Sequence, residues 1–392
     1  MEKDIFVVEA LRTPFCSLGG ALSEVPAPKL AAGVIKGLLE KTKLPAEAVG
    51  EVIIGEVLAG GVGQAPARQA MIYAGLPPSV PAMTINKVCG SGLKAVMLAA
   101  GSIALGDSET AIAGGMENMS LAPYILDKAR YGYRMGNGKL VDLMIHDGLS
   151  DPYTGRHMGE IGEESASKHA LTREAQDKFA TRSYKLAQEA VKSGIFKDEI
   201  VPVVKESRKG PVTVADDEEP FKVDFEKIGK LKPVFRKDGT ITAANASTIN
   251  DGAALLLLAG AEAVKKYGLK PKAKIKACAT ASLAPENFPD APVEAIKKAC
   301  AKAGLKTSDI DLFEINEAFC TVTMIAIKEL GLPEEKVNVN GGAAAIGHPI
   351  GASGARLAGT VIRELHKRGA KYGLATLCIG GGEAVAVIFE RV

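Results

Sequence analysis

The sequence predicts an α/β fold made of two similar halves with a long insertion between them. β-branched stretches alternate with helical stretches at both ends of the chain. A Ser-Gly turn that leads into an apolar helix occurs twice, at residues 91–92 and again at residues 353–354. Between the two halves this alternation stops, and residues 120–249 become more polar and rich in loops.

The first half alternates helices and strands as α/β layering requires. Leucine, isoleucine and valine recur at helical spacing in residues 29–41, and the β-branched run at residues 51–58 predicts a strand. Residues 93–105 are almost uncharged and rich in alanine, so we expect a helix that is buried on all sides. Residues 109–115 predict a buried strand that ends in glycines.

The insertion contains a long charged helix, predicted over residues 172–193, and extended polar connections that can cover a site. Apolar alternation resumes at about residue 250 and continues to the end of the chain. We therefore expect an N-terminal α/β domain over residues 1–119 that continues at about 250–270, an inserted loop domain over 120–249 that covers the substrate site, and a C-terminal α/β domain over 271–392.

The two outer blocks resemble each other. Residues 89–95 (Cys-Gly-Ser-Gly-Leu-Lys-Ala) align with residues 351–357 (Gly-Ala-Ser-Gly-Ala-Arg-Leu), and each segment leads into an apolar helix and then a strand that ends in glycines. Upstream, the predicted strand at 51–58 matches another at 310–315. Internal duplication explains this order, and chance similarity of short motifs is the alternative.

Composition excludes several classes of protein. Lysine and arginine number 48 and aspartate and glutamate 46, so the net charge of +2 provides no global field for nucleic acid or an anionic membrane. Tryptophan is absent and aromatic residues make up 5%, so platforms for base stacking are scarce. Glycine is frequent, at 43 of 392 residues, which indicates close approach to the backbone at some site.

The cysteines predict neither a zinc site nor a disulfide framework. They form no C-x-x-C pair and are spread along the chain, as Cys16, Cys89, Cys278, Cys300, Cys320 and Cys378. The N-terminal residues lack the basic and apolar regions of a signal peptide, and the C-terminal residues carry no lipidation motif. We expect a cytoplasmic protein.

Cys89 is the candidate nucleophile because an extended stretch, a Gly-Ser-Gly turn and a helix follow one another at this point. The N-terminus of a helix favours a thiolate, so we expect the pKa of Cys89 to be lowered. His348 lies among small residues at a position in the second half close to that of Cys89 in the first. Packing of the halves about a pseudo-dyad would bring the two together, with the imidazole as the base for the thiol.

Two further residues stand at the ends of predicted strands. Cys378 precedes Ile379 and three consecutive glycines, which allow a ligand to approach the backbone closely. Asn316 lies at a junction between a strand and a helix, where a helix cap is the plainer interpretation.

These segments together carry a family resemblance. Asn-x-x-Cys-Gly-Ser-Gly from residue 86, Asn-Glu-Ala-Phe from 316, Gly-Gly-x-x-x-x-Gly-His-Pro-x-Gly-x-Ser-Gly from 341 and Cys-x-Gly-Gly-Gly from 378 resemble, in this order, the motifs of the thiolase family. The resemblance runs from Arg12 to the C-terminus. It implies duplicated α/β domains in a layered α-β-α-β-α arrangement with an inserted loop domain. The Cys-Gly-Ser-Gly form is more similar to the biosynthetic, short-chain members.

The resemblance implies a reversible Claisen condensation of two acetyl-CoA to acetoacetyl-CoA and CoA by a ping-pong route. It assigns Cys89 as the nucleophile that carries the acetyl group and Cys378 as the acid/base for the α-proton. His348, with a water held by Asn316, would form one oxyanion hole. The backbone N–H groups of Cys89 and Gly380 would form the other.

The resemblance also implies a set of substrate-binding residues. These are His157, Met158, Phe235, Ala244, Ser247, Phe288, Ala318 and Phe319. Phe288 and the following Pro289 resemble the mitochondrial short-chain type, which admits a 2-methyl branch. Lys222 and Lys227 are candidates for the phosphates of CoA, with ordinary solvated lysines as the alternative.

The implied partners are acyl-CoA and CoA, with no nucleic acid and no membrane, in a homotetramer. Neither a metal nor a cofactor is expected, because CoA is a substrate and product. Potassium, which the mitochondrial type binds near the loop at residues 219–222, stays open and is not assigned, since Phe221 stands where that type uses a tyrosine.

Other functions compete with this interpretation. A 3-ketoacyl-CoA thiolase of broader specificity has the same chemistry, and sequence does not fix the volume of the acyl pocket. A non-catalytic acyl-CoA or lipid-binding protein of the same fold would be expected to have lost Cys89, His348 or Cys378. A ketoacyl synthase usually lacks the second cysteine, and a dinucleotide-binding loop would need a glycine where Pro66 stands.

Overall fold

The computed structural model describes residues 4–208 and 210–392. The strands in these ranges are β1 (Ile5–Arg12), β2 (Cys16–Ser17), β3 (Glu51–Gly55), β4 (Ala82–Ile85), β5 (Thr110–Asn118), β6 (Tyr124–Ile125), β7 (Val141–Asp142), β8 (Val203–Lys205), β9 (Val212–Val214), β10 (Asn250–Gly260), β11 (Ala273–Ser282), β12 (Leu312–Ile315), β13 (Tyr372–Ile379) and β14 (Glu383–Arg391).

The helices follow the same alternation. They are α1 (Ala27–Thr42), α2 (Pro66–Ala74), α3 (Ser91–Leu105), α4 (Met158–Lys168), α5 (Arg173–Lys192), α6 (Ala261–Lys266), α7 (Ala291–Ala303), α8 (Cys320–Leu330), α9 (Ala343–Ile346) and α10 (Ser353–Arg368). A π-helical turn, a form that is rare and frequent near functional sites, spans Met144–Leu149.

The first half forms one side of the main sheet, in the order β1-β10-β5-β3-β4. β3 runs parallel to β4 and β5, and β10 lies antiparallel between β5 and β1. β10 is buried along nearly its whole length, which explains its continuous run of alanine and leucine rather than an alternating pattern. It enters the first half after the insertion.

The second half repeats this pairing. β12 runs parallel to β13, and β14 lies antiparallel between β13 and β11, as β10 does between β5 and β1. The two halves join where Phe6 and Val7 of β1 pair with Lys274 and Ala273 of β11. The duplicated α/β fold predicted from the sequence is confirmed by this order of strands.

Helices α3 and α10 form the layer between the two halves. α3 packs against β3 and β5, α10 packs against β13 and β12, and the two helices contact each other. α1 covers β10 on the outer side of the first half, and α7 covers β11 and β14 in the second. The expectation that α3 is buried on all sides is wrong, because the layers cover only part of this helix and leave Leu98 and Leu105 exposed. By length and composition alone Val88–Leu105 passes for a membrane span, and 50% of it is buried inside the protein.

The segment between the halves is built differently. Within residues 120–208 and 210–249, β6 pairs with β7 and β8 pairs with β9, in hairpins separate from the main sheet. α5 begins after Thr172, whose hydroxyl caps the helix by accepting a hydrogen bond from the Ala175 N–H at 3.2 Å. The division into three domains at residues 119, 249 and 270 stays a prediction.

Two strands are shorter than predicted. β12 begins at Leu312 rather than at residue 310. The sequence predicts a strand over residues 51–58, whereas β3 ends at Gly55. The backbone N–H groups of Val57 and Leu58 leave the ladder because they donate instead to the carboxylate of Glu117, at 3.1 and 3.0 Å. This carboxylate lies beside the candidate site.

Candidate active site

Three loops meet around one narrow cavity of about 60 Å³ where the two halves face each other. Cys89 comes from the turn before α3, His348 from the loop before α10 and Cys378 from the end of β13. The residues that line the cavity are Val88, Cys89, Gly148, Leu149, His157, Met158, Ser247, Phe288, Ala318, Phe319, His348, Ile350, Cys378 and Gly380. The structure therefore brings the candidate nucleophile, imidazole and second thiol together.

The turn at Cys89 is tight and strained. Val88 adopts a φ of +46°, a left-handed conformation that is costly for a β-branched residue. The hydroxyl of Ser91 accepts a hydrogen bond from the N–H of Lys87 at 2.8 Å and closes the turn. Gly90 has no space for a side chain, because a Cβ there would lie 2.3 Å from Ile379. The turn therefore places Cys89 next to the end of β13.

The pKa of Cys89 shifts in the direction opposite to the one predicted from the sequence. We expected the helix N-terminus to lower it, but burial raises the pKa of Cys89 to about 11, and the charge of Glu117 adds to this effect. Hydrogen bonds from the backbone of Gly380 and of Cys89 itself oppose the shift without cancelling it. In the free protein Cys89 is therefore a neutral thiol that needs a base.

The imidazole of His348 is held from both sides. Its Nδ1 lies 2.5 Å from the hydroxyl oxygen of Ser353, and its Nε2 lies 3.3 Å from Nδ2 of Asn316. The backbone N–H of His348 donates to Oδ1 of Asn250 at 2.8 Å. Burial lowers the pKa of His348 to about 3, and the charge of Arg356 contributes. His348 is therefore neutral and able to accept a proton.

Asn316 follows directly after β12 and is completely buried. It contacts the imidazole of His348 and is not among the residues that line the cavity itself. Its Oδ1 has no hydrogen-bond partner among the described residues. A buried amide oxygen of this kind is usually satisfied by a water molecule or by a ligand, so Asn316 is suited to hold a water beside His348.

Cys378 is 1% exposed, whereas Cys89 is half-buried. Burial raises the pKa of Cys378 well above its usual range, and a negative charge on Cys89 raises it further. The two sulfur atoms are thus coupled, because each proton that leaves one of them disfavours ionisation of the other. An acylated Cys89 can no longer ionise, so it cannot oppose the deprotonation of Cys378.

Aromatic rings form the apolar wall of the cavity. Phe235 stacks on His157 with ring centroids 4.8 Å apart, and Phe319 packs edge-on against Phe235 at 5.9 Å and against Phe288 at 6.3 Å. Phe235 thus supports the wall from behind rather than lining it. Nδ1 of His157 accepts the N–H of Gly159 at 3.0 Å, so this histidine also caps α4.

A second cleft of about 390 Å³ contains the remaining predicted residues. Its lining includes Ala244, Lys222 and Lys227, and Ser247 of the same chain segment lines the reactive cavity. The ammonium of Lys222 contacts the hydroxyl of Ser17, and that of Lys227 lies 2.8 Å from Asp224. Both lysines therefore already have polar partners within the protein.

Several residues at the site were not predicted. Leu149 and Ile350 line the cavity, Ser353 contacts His348, and Glu117 binds backbone N–H groups around Cys89. Ser353 belongs to the glycine-rich motif that begins at residue 341. Glu117 is the one charged residue of β5. The sequence therefore contained a signal for both residues. Among the described residues, no group of three or more histidine, cysteine or acidic side chains is arranged to hold a metal ion.

Comparison with known proteins agrees with this architecture. Residues 5–262 match the family description "Thiolase, N-terminal domain" and residues 269–391 match "Thiolase, C-terminal domain". The acetyl-CoA acetyltransferase of Chromobacterium violaceum is 53% identical over 99% of this chain and 100% of its own length. The mitochondrial acetyl-CoA acetyltransferase of Danio rerio is 48% identical over 99% of this chain and 92% of its own.

A solved structure shows the same fold. The crystal structure of the Bacillus anthracis acetyl-CoA acetyltransferase superimposes with a TM-score of 0.97 at 40% identity, over 100% of this chain and 99% of that one. Fold, site motifs and whole-length similarity therefore agree, and the chain belongs to the thiolase family.

Proposed function

We propose that the chain is an acyltransferase that catalyses the reversible Claisen condensation of two acetyl-CoA to acetoacetyl-CoA and CoA. The observation that carries this proposal is the meeting of Cys89, His348 and Cys378 at one narrow cavity. The reaction needs one group to carry the acetyl unit and another to move the α-proton, and two thiols with one neutral imidazole meet that need.

In the first half-reaction, Cys89 attacks the thioester carbon of acetyl-CoA while its proton passes to Nε2 of His348. The tetrahedral intermediate collapses, the bond from carbon to the CoA sulfur breaks, and His348 returns the proton to that sulfur. Because both side chains are neutral at rest, the proton moves as the new bond forms rather than beforehand.

In the second half-reaction, Cys378 acts as its thiolate and removes a methyl proton from another acetyl-CoA, and the resulting enolate attacks the acetyl group on Cys89. The carbon–carbon bond forms as the thioester to Cys89 breaks, and Cys89 regains a proton from Cys378. Acetylation of Cys89 prepares this step, because an acetylated sulfur cannot ionise and so cannot oppose the ionisation of Cys378.

Two sets of donors stabilise the oxygen anions of these steps. The backbone N–H groups of Cys89 and Gly380 face the sulfur of Cys89, where the acetyl oxygen of the intermediate would lie. His348 and a water held by Asn316 would bind the thioester oxygen of the second substrate. Each set acts on a different carbonyl, so the two carbonyls can be activated in turn.

The cleft beside residues 243–248 provides a route for the pantetheine arm of CoA, with Ser247 at its inner end. Ser247 donates from its hydroxyl to the carbonyl of Ala318 at 3.0 Å, which leaves its oxygen free to accept a substrate amide. The cavity is enclosed by Phe288, Phe319 and Leu149, and its small volume favours short acyl groups.

Homotetrameric assembly is part of the proposal. Large apolar side chains are strongly exposed on the hairpin segment between β5 and α4, including Tyr124 at 62%, Tyr131 at 87% and Met135 at 97%. Exposed apolar patches of this kind are typical of contact surfaces. A cytoplasmic location is also proposed, which agrees with the six free cysteines.

The experiment that tests the function measures cleavage of acetoacetyl-CoA by the purified protein in the presence of CoA. We expect turnover in the wild type and none in Cys89→Ala, because acyl transfer lacks its carrier. Cys378→Ser should still transfer the acetyl group of acetyl-CoA to Cys89. Its exchange of the acetyl-CoA methyl protons with deuterated water should be far slower than in the wild type. Proton exchange at the wild-type rate would contradict the role of Cys378.

Substrate specificity is tested in the same assay. The measurement is kcat/KM for acetoacetyl-CoA compared with longer 3-ketoacyl-CoAs and with the 2-methyl derivative. We expect acetoacetyl-CoA to be preferred, because the cavity is short. Equal kcat/KM for longer chains would favour the broader 3-ketoacyl-CoA thiolase instead.

A further inference from the structure

The side chain of Asn250 is a completely buried amide to which the proposed function, on which this inference rests, gives no role. Asn250 is the first residue of β10, and its backbone pairs with Ser17 of β2 in the main sheet. Strand pairing therefore fixes the position of Asn250. His348, in contrast, lies in the loop between α9 and α10 and needs an anchor outside that loop.

The amide oxygen of Asn250 accepts two hydrogen bonds. The backbone N–H of His348 donates to Oδ1 at 2.8 Å, and the hydroxyl of Thr248 donates to the same atom at 2.8 Å. On the other side of the amide, Nδ2 donates to the carbonyl of Cys16 at 3.1 Å. A rotated amide would set its NH₂ group against the N–H of His348, so these partners determine the orientation of the amide.

The loop of His348 lies directly against this amide. Gly347 adopts a φ of +105°, which favours glycine, and a Cβ there would lie 2.5 Å from Oδ1 of Asn250. The loop therefore approaches Asn250 as closely as a backbone without a side chain allows. Ser353 and Asn316 contact the ring of His348, and Asn250 adds a hydrogen bond to the backbone of the same residue.

Two of the residues that contact this amide line the cleft of about 390 Å³ assigned to the pantetheine arm of CoA. Thr248 is one of them, and Glu219, whose Oε1 lies 3.4 Å from Nδ2 of Asn250, is the other. Thr248 is half-buried, whereas Asn250 is completely buried behind it. Because the hydroxyl of Thr248 donates its single hydrogen to Asn250, it cannot donate the same hydrogen to CoA.

We propose that Asn250 is a positioning residue that holds His348 in place beside Cys89, and that Thr248 acts on catalysis through this amide rather than by binding CoA. A shift of the His348 backbone would move Nε2 away from the thiol whose proton it must accept. Without the Thr248 hydroxyl, Oδ1 of Asn250 keeps only one of its two donors, so the amide is held less firmly against His348. Neither Asn250 nor Thr248 exchanges an atom with the substrate.

The test uses Thr248→Val, which keeps the branched shape of the side chain and removes its hydroxyl. We expect kcat for cleavage of acetoacetyl-CoA to fall about three- to tenfold, because a small displacement of the base slows proton transfer. The Kd for CoA, measured by isothermal titration calorimetry, should stay within about twofold of the wild type. Thr248→Ser keeps a hydroxyl and should recover most of the lost kcat.

Thr181→Val is the matched control. Thr181 is also half-buried, and its hydroxyl donates to the carbonyl of Asp177 at 2.8 Å within α5, away from the amide of Asn250. This variant should keep both kcat and the Kd for CoA within about twofold of the wild type. A loss of kcat as large as that of Thr248→Val would show that removal of any such hydroxyl lowers activity, which would contradict the specific role of Thr248.

A double-mutant cycle tests whether Thr248 acts through Asn250. Asn250→Ala should lower kcat about tenfold to a hundredfold and should slow both acetylation of Cys89 and exchange of methyl protons, since His348 serves both half-reactions. Thr248→Val added to Asn250→Ala should cause little further loss, because the hydrogen bond between the two side chains is already absent. If Asn250→Ala does not fold, the Thr248 variants still decide the outcome through kcat and the Kd for CoA.

Failure of this inference differs from failure of the proposed function. If the wild type does not cleave acetoacetyl-CoA in the presence of CoA, the proposed function is wrong. If the wild type does so, but Thr248→Val raises the Kd for CoA and keeps kcat, Thr248 is a binding residue and the inference is overturned. Unchanged kcat and Kd in Thr248→Val, or additive losses of kcat in the double variant, would overturn it as well.

Discussion

Burial determines the protonation of the reacting side chains. It raises the pKa of Cys89 to about 11 and lowers that of His348 to about 3, so the resting pair consists of a neutral thiol and a neutral imidazole. A thiolate–imidazolium pair would require the opposite order of pKa values. The site therefore keeps its nucleophile unreactive until a thioester enters, and this protects Cys89 from other electrophiles.

The first prediction concerns this protonation state. The rate at which iodoacetamide alkylates Cys89 in the free protein should rise about tenfold for each pH unit between pH 7 and 9, because the thiolate fraction grows in this way below the pKa. Peptide mass mapping separates Cys89 from the half-buried Cys278, and Cys89→Ala provides the blank. A rate that levels off by pH 7.5 would instead indicate a stored thiolate.

At the scale of the elements, the carboxylate of Glu117 connects three segments that surround the site. From its position on β5 it accepts the N–H groups of Val57 and Leu58, after β3, and that of Gly351 at 2.9 Å, three residues beyond His348. We infer that Glu117 fixes the loop of His348 relative to the turn of Cys89.

The second prediction tests this connection with Glu117→Gln. The amide retains only one acceptor oxygen, and its NH₂ group would face backbone donors, so we expect a fall in Tm of several degrees and a loss of kcat. Glu109→Gln is the matched control, because Glu109 lies just before β5, is 62% exposed and pairs only with Lys266 among the described residues. The control should leave both quantities unchanged, and an equal effect of the two variants would contradict the role of Glu117.

The third prediction concerns the neighbouring Glu56, a buried side chain whose carboxyl oxygens have no hydrogen-bond partner among the described residues. Burial, with the charge of Glu117, raises the pKa of Glu56 from 4.5 to about 8. A raised pKa in the folded state means that stabilisation is complete below about pH 4.5 and is lost as the pH rises through 8. Burial of Glu117 and Glu314 acts in the same direction.

We therefore expect the Tm of the wild type to fall between pH 5 and pH 9. In Glu56→Gln no charge forms at this position, so its Tm should fall less and should exceed that of the wild type at pH 9. Scanning calorimetry of both proteins in matched buffers measures the difference. Parallel curves for the two proteins would show that Glu56 does not titrate in this range.

Sequence alone predicted the parts of the site that depend on local turns. Cys89, His348 and Cys378 each lie close in sequence to glycines, so the residues next to them indicate the turns at the site. The direction of the Cys89 pKa shift was wrong because burial depends on Leu58, Ile350 and other residues that are distant in sequence. The early end of β3 was missed for the same reason, since Glu117 follows it by about sixty residues.

At the scale of the whole molecule, the site exists only because the two halves approach closely through α3 and α10. A Cβ on Gly354 of α10 would lie 2.6 Å from the backbone nitrogen of Leu93 on α3, and one on Gly115 would lie 1.8 Å from the carbonyl of Gly351. Cys89 lies two residues before α3, and His348 lies five residues before α10. The spacing of the helices therefore sets the distance between nucleophile and base.

The last prediction follows from this spacing. Gly354→Ala should lower both Tm and kcat, because the added methyl group meets backbone atoms that cannot move without separating the helices, at a cost of about 1–3 kcal/mol. Gly101→Ala, on α3, is the matched control, since a Cβ there meets nothing within 4 Å and alanine favours a helix by about 0.5–1 kcal/mol. We expect the control to keep kcat and to retain or raise Tm. If Gly354→Ala instead kept the wild-type kcat, the separation of Cys89 and His348 would not depend on the contact of α3 with α10, and the two halves would be held by the pairing of β1 with β11.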